Sequence, residues 1–105
     1  MAGIASEPST LFSSEVLAFA SERGIKQYLH PVLEMTLRVF PTAERARAVL
    51  EVDPELPDER QIVFEVDADS SDLVAQHWEW SRELFRICPA THACLFGIHV
   101  NLSAA

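Results

Sequence analysis

A chain of 105 residues, 49% of them apolar and only three of them glycine, has the size of one domain and the apolar content for one core. Its formal charge of −8, from 16 acids against 8 lysines and arginines, opposes binding to phosphate backbones, where affinity comes largely from cations displacing counterions, so nucleic acid is not expected as a ligand. No run approaches the ~18 apolar residues that span a bilayer, and the N-terminus lacks the basic and apolar regions of a secretion signal. The cytoplasm is the expected compartment, and a membrane is not an expected partner.

The opening residues are small and polar and include Pro8, which predicts a loose tail over residues 1–12 ahead of a single α+β domain over 13–105. Ser13 or Ser14 can cap a first helix with apolar positions Val16, Leu17, Phe19 and Ala20, stopped by Gly24, with Phe12 placed to staple back onto Leu17. A second helical series, Ile25, Leu29, Val32, Leu33, Thr36, Leu37 and Phe40, runs to Pro41. Pro31 interrupts it, so that helix either starts near His30 with proline in its first turn or bends there.

From Arg45 the period becomes two. Ala46, Ala48, Leu50 and Val52 point one way, and Arg45, Arg47, Val49, Glu51 and Asp53 the other, which predicts a strand. A loop with Pro54 and Pro57 follows, then a second strand with Ile62, Phe64 and Val66 inward and Val63, Glu65 and Asp67 outward. Between Glu51 and Asp72 nine acids face one base, so the whole excess charge sits there (9 − 1 = 8). Setting Glu51 opposite Glu65 is disfavoured by like charge, and the next register of matching parity pairs Val52 with Ile62 and Leu50 with Phe64, leaving Glu51 beside Val63 and Glu65 beside Val49.

Ser70 or Ser71 is expected to cap a third helix with Asp72 in its first turn. Leu73, Val74, His77, Trp80, Ser81, Leu84, Phe85, Ile87 and Cys88 form one broad arc, with Gln76, Glu79, Arg82, Glu83 and Arg86 on the other side and Trp78 at the arc's edge. Pro89 ends it. A third strand over residues 94–102 then carries Cys94, Phe96, Ile98, Val100 and Leu102 inward and His99 and Asn101 outward. The order is α-α-β-β-α-β, an α+β fold with a three-stranded mixed or antiparallel sheet and helices packed on one face.

The chemistry is sparse. Glu51, Glu65, Asp67 and His99 share the outward parity and have the residue types of a divalent-metal or acid/base site. Cys88, His92, Cys94 and His99 have zinc-ligand content but lack paired ligand spacing, and Cys94 and His99 point to opposite faces of one strand. The two cysteines are expected as free thiols, since the core needs no disulfide. Asp67, Asp69 and Asp72 lack the glycine and closing glutamate of a calcium loop. His77 is expected as a hydrogen-bonded core histidine. With glycine only at positions 3, 24 and 97, there is no phosphate-cradling loop and no nucleophile elbow.

The overall pattern resembles small uncharacterised bacterial α+β proteins, without a motif specific enough to transfer a function. The reading that follows is a non-enzymatic interaction module, a homodimer or the small subunit of a complex. Its expected partner surface is the outward sheet face and its surroundings: Val49, Glu51, Val63, Glu65, Asp67, Trp78 and His99. No cofactor is expected. The competing reading is a small metal-dependent or acid/base enzyme using Glu51, Glu65, Asp67 and His99.

Overall fold

The computed structural model of the chain describes residues 12–41, 43, 45–56, 58–68 and 72–102, apart from the side chains of Arg45 and Leu102. The first helix, α1 (Ser14–Arg23), starts where Ser13 Oγ accepts the Val16 amide at 3.2 Å and ends at Gly24, whose φ of 70° gives the left-handed cap. A 3₁₀ turn (Lys26–Tyr28) leads into α2 (Leu29–Val39), which places Pro31 in the first turn, where a proline leaves no intrahelical bond unmade. The buried side of α2 is Leu29, Val32, Leu33, Met35, Thr36 and Val39. Leu37, expected among them, is 44% exposed.

The sheet is mixed, in the order β1 (Arg45–Val52), β2 (Arg60–Ala68), β3 (Phe96–Leu102). β1 runs antiparallel to β2, and β3 runs parallel to β2 on its other side, as a crossover through the third helix requires. Ile62, Phe64, Val66 and Ala68 of the central strand join Ala48, Phe96 and the apolar sides of α1 and α2 in one core. Phe12, placed at the end of the expected tail, is buried at 2% exposure. It bridges Ala48 in parallel fashion and meets the Phe64 ring edge-on at 6.5 Å. The rest of that expected tail, residues 1–11, lies outside the described residues.

The β1–β2 register corrects the sequence expectation. Leu50 stands opposite Ile62, Ala48 opposite Phe64, Val49 opposite Val63 and Glu51 opposite Gln61, a shift of one pleat that preserves the oily face. The expected register set Arg47 opposite Asp67 but left Glu65 beside Val49. The observed one sets Arg47 against Glu65 and Val49 against Val63, and an opposite-charge pair across a strand pair adds about 0.2–1 kcal/mol. The hairpin loop closes with Asp53 accepting the Glu55 amide through Oδ1 at 2.9 Å.

The third helix, α3 (Leu73–Ile87), is capped by Asp72 itself, whose Oδ1 accepts the Ala75 amide at 3.3 Å; Ser70 and Ser71 lie outside the described residues. It packs chiefly on α2. Trp80 Nε1 donates to Thr36 Oγ1 at 2.9 Å, Gln76 Nε2 to the Val39 carbonyl at 3.1 Å, and Arg38 bridges Glu83 at 3.3 Å. A helix seated on one neighbour buries a narrow stripe, and α3 buries only Trp80 and Leu84. The predicted arc was therefore too wide, and Val74, His77 and Phe85 are exposed. A short helix, α4 (Ala90–Ala93), then precedes β3, so Cys94 lies before the strand and is exposed rather than inward.

Candidate functional site

Two surfaces compete for the role, the outward sheet face and the outer side of α3. On the sheet, Val63 sits in the central strand at only 5% exposure, with Val49 half-buried opposite it. Gln61 lies across Gly97, donating to the Phe96 carbonyl at 3.2 Å and the Cys94 carbonyl at 3.4 Å, a path open because Gly97 has no Cβ. Glu65 accepts from Arg47 Nε at 2.8 Å. Asp67 stands between Arg45 on one side and Asn101 on the other. His99, exposed, neighbours Glu65 in the parallel register and meets Asn101 Oδ1 through Nε2 at 3.0 Å. Glu51 is exposed at the far end of β1, opposite Gln61.

The face is thus matched within itself, and its charge is less bare than alternation alone implied. A shallow hollow of about 260 Å³ lies among Arg47, Glu65, Asp67 and Asn101. Among the described residues no three His, Cys, Asp or Glu side chains gather as a metal site, so Glu51, Glu65, Asp67 and His99 are not drawn together into one. Both cysteines are free: Cys88 is buried, and that burial pushes its thiol pKa up, while Cys94 is exposed. A second hollow, about 540 Å³ beside the hairpin loop, includes Glu51, Glu59, Arg60, Gln61, Cys94 and Leu95. Its cation is already engaged, since Arg60 pairs with Glu22 at 3.4 Å and covers the Phe19 ring at 4.9 Å.

The outer side of α3 differs in kind. Val74 is 70% exposed, Trp78 72% and Phe85 59%. They recur at spacings of four and seven residues, so they lie on one helical stripe, with Ser81 between the two aromatics. Trp78, Ser81, Arg82 and Phe85 line a groove of about 290 Å³. Glu79 and Arg82 flank it, both exposed and, among the described residues, neither in a hydrogen bond nor an ion pair. Arg86 bridges Glu83 at 3.2 Å. The helix carries two glutamates and two arginines and so is balanced, in a chain of net −8.

Of the side chains expected to bind a partner, Trp78 alone belongs to this stripe. Val74 and Phe85, expected on the covered arc, are exposed, whereas Glu79 and Arg82 lie on the polar side as expected but were not among the expected partner contacts. The signal for Val74 and Phe85 was the width of the arc, since an amphipathic helix needs an apolar stripe of only about 100° to face its core. The remainder reads as a second stripe.

Among the described residues no helix is long and apolar enough to cross a membrane. By its geometry the chain is a small α+β domain with a three-stranded mixed sheet and an exposed aromatic helix face. No protein-family model, curated protein or solved structure matches it.

Proposed function

We propose that this protein is a non-enzymatic interaction module that docks a protein partner through the outer face of α3. The exposure of Val74, Trp78 and Phe85 on one stripe carries the reading, because contiguous apolar surface of this kind marks binding surfaces and aromatics with arginine dominate their energetics. At 72% and 59% exposure, and with aromatic side chains of about 150–250 Å² each, Trp78 and Phe85 leave roughly 200–330 Å² uncovered. Covering it is worth about 5–8 kcal/mol at ~25 cal/mol per Å². Association itself costs about 4–15 kcal/mol, so the partner has to contribute apolar surface of its own. The two free thiols suit a reducing compartment, which supports placement in the cytoplasm.

The test compares the wild type with Trp78→Ser/Phe85→Ser by light scattering and by uptake of an anionic apolar dye, 1-anilinonaphthalene-8-sulfonate. The wild type is expected either to self-associate or to bind dye, and the double variant to do neither. A wild type that does neither, or a variant that behaves like it, overturns the reading.

A further inference from the structure

We propose that the occupant of the α3 face is a second copy of this chain, with the two α3 helices antiparallel about a twofold axis. The proposal rests on the reading of α3 as a docking surface. Two chains of charge −8 repel, and they meet at lowest electrostatic cost through a balanced surface; α3, with Glu79 and Glu83 against Arg82 and Arg86, is such a surface.

The charges also select a register. Between antiparallel helices related by a twofold axis, each flank of one helix faces the same flank of the other. Glu79 and Arg82 lie on one flank of the stripe, free of partners among the described residues, so Glu79 of each copy can stand level with Arg82 of the other. That single choice also fits the apolar side chains. With Glu79 level with Arg82, Trp78 comes level with position 83 of the other helix, between its Ser81 and Phe85, where the groove lies. Phe85 comes level with position 76, between the second copy's Val74 and Trp78. Each aromatic knob thus meets a hole on the facing stripe, as in an antiparallel coiled pair. At 15 residues α3 is about 22 Å long, enough for the two exposed aromatics of each copy to overlap fully.

Sedimentation velocity on charge-reversed chains tests the pairing. In Glu79→Arg homodimers both cross-helix pairs become Arg against Arg, and in Arg82→Glu homodimers both become Glu against Glu. Each single variant is expected to dimerise roughly tenfold or more weakly than the wild type, because like charges set together cost several kcal/mol. An equimolar mixture of the two variants is expected to regain dimerisation, since the mixed dimer has opposite charges at both positions. Both residues are exposed, and thermal melts of the single variants check that folding is intact. A mixture that stays as weak as its components overturns the proposed register. A wild type that is monomeric at every concentration yet takes up the dye overturns the second copy and leaves the α3 reading standing. A dimer that survives in Trp78→Ser/Phe85→Ser overturns both.

Discussion

Thr36→Val removes one oxygen from the seat that holds α3 on α2. Thr36 is wholly buried and Trp80 is 3% exposed; the hydroxyl donates to the Val32 carbonyl at 2.7 Å and accepts the Trp80 indole N–H at 2.9 Å. Valine fills the same volume, so no cavity opens, and the cost is that of a buried indole donor left without an acceptor, about 1–3 kcal/mol. For a domain of this size each kcal/mol lowers Tm by roughly 4–8 °C. Thr36→Ser keeps the oxygen and gives up one buried methyl group, about 1 kcal/mol. Urea unfolding followed by circular dichroism ranks the three proteins. Adding Trp80→Phe to Thr36→Val removes the orphaned donor, so the double variant is expected to lose less than the sum of the singles, by about 0.5–3 kcal/mol of coupling. A Thr36→Val protein as stable as the wild type, or strictly additive losses, refutes the assignment of this bond as the α2–α3 anchor.

The β1–β2 register is tested by charge exchange: Arg47→Glu destabilises by about 0.2–1 kcal/mol and Arg47→Glu/Glu65→Arg recovers most of it in urea unfolding, whereas a register pairing Glu65 with Val49 gives no recovery. Gly97→Ala brings a Cβ to 3.0 Å from Gln61 Oε1, so the flexible amide has to swing off its two carbonyl acceptors at a cost of about 0.5–1.5 kcal/mol. In a Gln61→Ala background the same change is expected to be neutral or stabilising by thermal melts. Ellman's reagent is expected to titrate exposed Cys94 in the native protein and buried Cys88 only after unfolding. Burial raises the Cys88 pKa in the folded state, so its contribution to stability is complete below the ordinary thiol value of 9.0 and is lost as pH climbs past it, when the unfolded thiol ionises and the folded one does not. Urea midpoints at neutral and alkaline pH check the sign, and Cys88→Ala flattens the slope.

The elements themselves were legible because their signals are local. Ser13 and Gly24 bound α1, the Pro31 position decided the start of α2, and alternation located β1 and β2, with Ala48, Ile62, Phe64 and Val66 buried as expected and Val52, at the end of β1, exposed. The register was only half legible. Avoidance of Glu51 against Glu65 excluded one alternative, but charge does not separate the two that remain, since Arg47 faces an acid in both, Asp67 in one and Glu65 in the other. The candidate site was hardest to see. A helical wheel shows which residues share a side and not how much of that side a neighbour covers, and α3 touches chiefly α2. His77, expected in the core, and Trp78, expected at the arc's edge, are both exposed, because the buried stripe runs through Trp80 and Leu84 instead. Val63 failed in the opposite direction: outward on the central strand between Val49 and Gly97, it is buried, while Glu65 and Asp67 beyond it on the same face are half-buried.

Whether the outer stripe of α3 is a surface awaiting a partner or a part of the core is decided by the urea unfolding curve of Trp78→Ser/Phe85→Ser, measured at protein concentrations where the wild type is monomeric. Exposed side chains contribute little to the monomer, so the midpoint is expected to stay within about 0.5 kcal/mol of the wild type. A loss of about 3–5 kcal/mol per aromatic, the cost of truncating a buried ring, would place these residues in the core and remove the docking surface.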